Sequence, residues 1–356
     1  MANRRKVWKK KLRDLRSKRI GEEKSKKKKS KTFSKIGIPS PDRTRSLYRE
    51  VVTERYTVPE KFSLIENTEE TIEYFNKITQ GIKRKIPRAN FVIDSLNVKD
   101  VTVDALIYLI AIMENMKLNK SMGYIYTGTF PKEKSCELVY KESGFMDYVE
   151  SKDKRSFLNK TKVRIHSGNN NTPIVIKEIC DFVINEFGVE KKDILFISKI
   201  LVELMSNAYY HAYPDEINEE MHSKWYLYAE HSNNNVRVIF ADTGKGIAST
   251  VRRKPNEKIR ELVTGLKDSE LIYEAFQPGN FIRTETKLDH RGNGLPGIKE
   301  TIDNSPINLF WILSGSGGLC IREIAGQKDL TKHQFQHKIY GTIVVFEFEM
   351  GGIINE

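Results

Sequence analysis

The chain has 356 residues, three cysteines and a formal net charge of +13, enough length for two domains with sizeable cores. Cys136, Cys180 and Cys320 are odd in number and far apart, which argues against a disulfide framework or a cysteine metal site and for a reducing compartment. The longest apolar run, 105–113, is too short to span a bilayer, and the charged N-terminus has no hydrophobic segment after it, so the expectation is a soluble, cytoplasmic protein with no membrane partner.

The charge is unevenly placed. Met1–Lys35 holds seventeen Lys and Arg against Asp14, Glu22 and Glu23, a net +14, which leaves the other residues at 13 minus 14, or −1. Residues 24–31 are all Lys or Ser and cannot build a core, so residues 1–45 are expected to be a basic, disordered tail. Val7, Trp8, Leu12 and Leu15 are spaced so that a short basic helix could form on a partner. Nucleic acid or another polyanion is the partner this charge suits, against the plainer reading of a solubilising tail.

From 46 to 150 the composition becomes globular. Residues 89–94 read as a buried strand after the turn at Pro87, and 103–116 as a helix with Leu106, Ile107, Ile110 and Met113 on one face. A second strand at 123–127 precedes a helix over 131–143 closed by Gly144. Strand, helix, strand, helix predicts a small α/β unit. Residues 151–172 are polar, end in Asn169, Asn170 and Asn171, and read as a linker.

The remaining residues, 173–356, predict helices followed by strands. A helix over 174–187 ends at Gly188. The next begins near Ile194, with Leu195, Ile197, Ile200, Leu201, Leu204, Met205 and Ala208 at helical spacing. Glu203, Asn207 and His211 stand four residues apart on it and stack along one face. Residues 225–231 and 236–242 predict a hairpin around Ser232–Asn235, and 307–314, 319–324 and 342–350 predict further strands. The second of these strands runs into Asp242-Thr243-Gly244-Lys245-Gly246-Ile247, and Gly292-Asn293-Gly294-Leu295-Pro296-Gly297-Ile298 opens a helix over 296–303. That stretch is literally G-x-G-x-x-G, but the polar residues 284–290 before it are not a strand, so a dinucleotide fingerprint fails its context.

Three motifs in this order, Glu203–Ala212, Asp242–Ile247 and Gly292–Ile298, resemble the boxes of the ATPase superfamily shared by DNA gyrase, MutL, the ninety-kilodalton heat-shock chaperone and sensor histidine kinases (GHKL). The resemblance covers roughly 172–350. It implies an α+β chain whose C-terminal part is a two-layer α/β sandwich of the Bergerat type, with ATP and Mg²⁺ as cofactors. On that resemblance Asp242 accepts a hydrogen bond from the adenine amine, Thr342 supports Asp242, Gly244 and Gly246 let the backbone pass close to the base, and Ile247 closes this first glycine box as a further binding residue. Asn207 coordinates the metal, a neutral amide oxygen suiting an ion that keeps most of its waters. Gly292, Asn293, Gly294, Leu295 and Gly297 offer N–H groups to the phosphates at a helix start. Glu203 occupies the place of the general base, against the alternative that it only pairs with a neighbouring Lys or Arg. Residues 248–291 read as a lid, with Arg283, Lys287 and Arg291 as γ-phosphate contacts.

Asn207-Ala-x-x-His211-Ala-Tyr213 is similar to the anti-sigma-factor serine kinases, whose partners are STAS proteins. Residues 91–106 in turn resemble the strand–loop–helix centre of STAS domains, around Val92-Ile93-Asp94, Asn97-Val98 and Asp104-Ala105-Leu106. At the phosphoacceptor position of that family stands Asp104 or Val103. Asp104 is then either a simple helix cap or a fixed negative mark for docking, with Thr102 and Ser95 as the hydroxyls that could be phosphorylated. The expectation is an Mg-ATP-binding regulatory ATPase or serine/threonine protein kinase, coupled to a STAS-like unit at 46–150, with a protein partner and with room for a homodimer. The alternatives are a non-catalytic, ATP-gated binding module and a nucleic-acid-associated ATPase.

Overall fold

A computed structural model of the protein describes residues 52–118, 124–149, 161–168, 173–211, 224–253, 263, 265–277 and 294–350. All of them belong to one unit, Val52–Glu356. The basic tail lies outside the described residues, as do Gly292, Asn293, Arg283, Lys287 and Arg291. The architecture is mixed α+β, with a seven-stranded antiparallel sheet and two small parallel sheets.

The first layer is built on β1 (Thr53–Thr57), β3 (Asn90–Asp94) and β5 (Ile125–Thr129), which pair in parallel with β3 in the centre. β2 (Lys61–Phe62) and β4 (Asp100–Val101) make a second, minimal parallel pair. Parallel neighbours need crossovers; here the connections carry α1 (Thr68–Lys83) and α2 (Val103–Leu118), and α3 (Lys134–Glu142) follows β5. α1 buries Ile72, Phe75 and Ile78 from one face, begins with Glu69 and Glu70 and ends with Lys83, matching charge to the helix dipole at both ends.

α2 departs from the expectation of a single apolar face. Every residue from Val103 to Met113 is buried, Tyr108, Leu109 and Ile112 included. A helix apolar all round needs a covering on both sides, and α2 has one: it shares a core with the first layer and with Tyr226, Tyr228, Ile239, Ala241, Leu313, Ile343 and Val345 of the large sheet. At its C-terminal part Glu114 accepts hydrogen bonds from the Lys224 ammonium (3.1 Å) and the Tyr226 hydroxyl (2.5 Å).

Asp104 is only 1% exposed, and one of its carboxylate oxygens accepts the Leu64 N–H at 2.6 Å. Burial raises its pKa. It lies in the first turn of α2, inside the helix, and ties that turn to the β2–α1 connection. A carboxylate in this position cannot present a fixed charge to a docking partner, so that reading of Asp104 is overturned. Ser95 is buried as well, its hydroxyl accepting from Tyr140 at 3.2 Å.

The large sheet consists of β6 (Lys162–Gly168), β7 (Trp225–Ser232), β8 (Asn235–Asp242), β9 (Ile307–Ser314), β10 (Gly317–Ile324), β11 (Gln327–Gln334) and β12 (Thr342–Glu349), in the order β11-β10-β9-β12-β8-β7-β6. The helices α4 (Pro173–Phe187), α5 (Leu195–His211), α6 (Ile247–Arg253), α7 (Asp268–Phe276) and α8 (Leu295–Asp303) complete the fold. Side chains alternate across each strand. Trp225, Leu227, Val236, Val238, Phe240, Val344, Phe346 and Phe348 share a core with α4, α5, α7 and α8, while the residues between them face α2. Both faces being covered, the central strands read as nearly unbroken apolar runs. The polar interruptions on the α2 side pair with one another: Arg237 Nε donates to Glu347 Oε1 at 2.6 Å across the β8–β12 register.

The expected linker is corrected by β6. Within 151–172, Lys162–Gly168 forms the edge strand beside β7, with Val163 in the helix-side core and Ile165 in the α2-side core. The expected lid is corrected in part too. Within 248–291, α7 buries Leu271, Ile272 and Phe276 and packs on β10 and β11, so this stretch is core.

Candidate functional site

Asp242 ends β8, flanked by Trp225 of β7 and Thr342 of β12 in register. Its strand lies inside the sheet, between β7 and β12, and the residue is 9% exposed. The Gly244 N–H donates to Asp242 Oδ1 at 2.7 Å, closing the turn an aspartate forms two residues ahead. Burial pushes the carboxyl up to about 6, while hydrogen bonds from Gly244 and Thr342 favour the ionised form and limit the rise. Those bonds come from neutral donors. A carboxylate kept this way is destabilised by its site and retains acceptor capacity for a polar ligand.

The glycines around it divide by task. Gly246 has φ of +78°, a conformation only glycine adopts easily, and a Cβ there would lie 2.7 Å from the Ser314 hydroxyl and 2.9 Å from Gly341 O. Gly244 is not left-handed; its contribution is the N–H to Asp242. Gly341 has φ of +80°, and a Cβ there would collide with Asp242 O. Ile247 opens α6, and its N–H donates to Ser314 Oγ at 2.8 Å.

Ser314 is the residue the sequence reading missed. It is fully buried at the end of β9, donates to Gly341 O at 3.0 Å and lies 3.2 Å from the Thr342 hydroxyl. Accepting from Ile247 as well, it joins the turn after Asp242 to the start of β12. A serine ending the apolar run Phe310–Leu313, next to Gly315, is the signal that could have found it.

The other predicted residues gather on α5 and α8, which pack on each other. Glu203 and Asn207 are half-buried, one turn apart on α5. Gly294 caps α8 with φ of +65°, and a Cβ on it would come 3.8 Å from Glu203 Oε1. The Gly297 and Ile298 N–H groups already donate to Gly294 O at 3.0 and 3.2 Å, so the N–H groups left for an anion at this helix start belong to residues nearer its tip. Leu295 and Gly297 are half-buried in the first turn. α5 also packs on β8, the strand that Asp242 ends. Thus Asp242, Gly244, Gly246, Ile247 and Thr342 form one cluster through Ser314, and Glu203 and Gly294 form a second, with α5 against both β8 and α8.

Among the described residues no group of three or more His, Cys, Asp or Glu could hold a metal ion. A single amide oxygen at Asn207, with a carboxylate one turn away, fits Mg²⁺ completed by water and phosphate oxygens. Among the described residues no helix is long and apolar enough to cross a membrane. Comparison of the sequence with protein-family models and with curated proteins gives no match.

Proposed function

We propose that this protein binds Mg-ATP at the Asp242 end of the large sheet and acts as a regulatory ATPase or serine/threonine protein kinase of the GHKL type. The observation that carries the reading is the buried Asp242 carboxylate, held by neutral donors at a strand end with Gly246 and Gly341 crowding the backbone around it. Such a group suits the exocyclic amine of adenine, which donates a hydrogen bond and brings no charge to be desolvated. The order of helices and antiparallel strands over 173–350 supports a Bergerat-type layer of helices on one face of the sheet. The strand–loop–helix of β3 and α2 supports a STAS-like first layer on the other.

In this reading Glu203 acts as the general base, orienting water or a protein hydroxyl toward the γ-phosphate. Gly294 and Leu295 offer the start of α8 to the phosphates, together with Gly292 and Asn293, while the Gly297 N–H is engaged within the helix turn. Mg²⁺ at Asn207 would offset phosphate charge. The basic tail adds a polyanion contact, with nucleic acid the natural ligand for its charge density.

Calorimetry with Mg-ATP and with inosine triphosphate, which carries an oxygen where adenine has its amine, tests the base-reading role. ATP is expected to bind more tightly, and Asp242→Asn to abolish the preference. Equal affinities in the parent protein would reject this assignment of Asp242. Single-turnover phosphate release, followed by a search for label on protein hydroxyls, then separates hydrolysis from transfer.

A further inference from the structure

The connection from β11 to β12, residues 335–341, delivers Gly341 and Thr342 to the Asp242 end of the sheet, and the first layer holds it at successive points. The Gln336 N–H donates to the Glu69 carboxylate of α1 at 3.2 Å. Asn76 Nδ2 of α1 donates to Lys338 O at 2.9 Å, and the Lys83 ammonium donates to the Tyr340 hydroxyl at 2.8 Å. Ile339 is buried in the core shared with α2, its N–H donating to Gly315 O at 2.9 Å. The Tyr340 N–H donates to the buried Tyr108 hydroxyl of α2 at 2.8 Å. The next residue is Gly341, whose carbonyl accepts from Ser314 and whose left-handed backbone presses against Asp242 O. Thr342 follows, opposite Asp242 in register.

We propose that Tyr108, assisted by Asn76, is a positioning residue for Asp242: the first layer sets the 335–341 connection, and through Gly341 and Thr342 it sets where the carboxylate stands. The ligand that benefits rests on the nucleotide reading above; the mechanical link does not. The physical reason is close packing. Gly341 has no room to shift toward Asp242, and Tyr340 is pinned from both α1 and α2, so displacement of either helix passes along two peptide units to the carboxylate. Phosphate contacts at α8 have no part in this path. A partner that lifts α1 or α2 would therefore change base discrimination before it changes phosphate affinity.

Tyr108→Phe removes the acceptor while keeping the ring, and Asn76→Ala removes the second clamp from an exposed contact. Two measurements on the full chain follow each variant. The first is amide hydrogen exchange at 242–247 and 341–344 without nucleotide; the second is the ratio of ATP to inosine triphosphate affinity in the presence of Mg²⁺. Losing one hydrogen bond of ordinary strength predicts exchange at 242–247 faster by about threefold to tenfold, and the affinity ratio reduced by a similar factor. Affinity for inosine triphosphate itself stays unchanged. Cys136→Ala, which opens a gap in the core at α3, controls for general loosening and leaves both readouts at the parent value. Parent-like exchange at 242–247 in both Tyr108→Phe and Asn76→Ala overturns the proposal, as does an intact affinity ratio in a protein whose parent prefers ATP. If the parent shows no preference, the base-reading role of Asp242 fails while the exchange measurement still decides the coupling: acceleration supports it and none refutes it.

Discussion

Replacing Asp242 with Asn should make the ligand-free protein more stable at neutral pH while removing its proposed ligand contact. The carboxyl stands at about 6 in the folded protein against 3.8 as its ordinary value. A pKa raised by folding means that the stability associated with this group is fully present below 3.8 and is lost as pH rises through 6. The loss amounts to about 2.2 units at 1.36 kcal/mol each, or roughly 3 kcal/mol above pH 7. Asparagine is neutral throughout and keeps an acceptor for the Gly244 N–H, but weakens bonds that were made to a charge, which takes back about 1–2 kcal/mol. The net expectation at pH 7.5 is a gain of about 1–2 kcal/mol. Urea denaturation of parent and variant at pH 7.5 and pH 4.5 measures it, and the gap should shrink by about 2 kcal/mol at the lower pH, where the parent carboxyl is protonated when folded. A gap that is the same at both pH values, or a variant weaker than the parent only at pH 7.5, would refute the view of Asp242 as a carboxylate destabilised by its burial.

Four further outcomes are expected. By the same titration, the preference for ATP over inosine triphosphate should decline as pH falls through about 6, because a protonated Asp242 loses acceptor strength; competition binding between pH 5 and 8 checks this. Glu203→Ala should still bind Mg-ATP and lose turnover by about a hundredfold or more, read by single-turnover phosphate release; normal turnover would remove Glu203 from the chemistry. Gly341→Ala should destabilise by several kcal/mol, roughly the strain of positive φ plus a collision with Asp242 O, and calorimetric unfolding would show it. Deleting Met1–Lys35 should abolish salt-sensitive binding to nucleic acid, measured by a fluorescence titration over increasing salt, and leave nucleotide affinity unchanged.

What local pattern could declare, it declared. The 3.6-residue repeat from Leu195 to Ala208 and the alternating run from Val236 to Asp242 are properties of consecutive residues, and both elements form where expected. Edge elements were not legible in this way. β11 (Gln327–Gln334) is polar and largely exposed, and β6 lies in a stretch whose amides and charges resemble a loop, although Val163 and Ile165 alternate. An edge strand gets its definition from the neighbour it pairs with, which sequence alone does not display.

The sequence by itself determined the helix carrying Glu203 and Asn207, the hairpin that ends at Asp242, and the concentration of positive charge before residue 36. Only the tertiary structure decided that α2 is a helix shared by two layers, that Asp104 is buried inside it, and that α7 belongs to the core of the large sheet. It also decided that Ser314 joins three separate segments at Asp242, and that Tyr108, 232 residues before Tyr340, holds the connection leading there. The reason is range: periodicity and turn preference act over a few residues, whereas burial of a whole helix surface or of one hydroxyl depends on which distant segments pack against it.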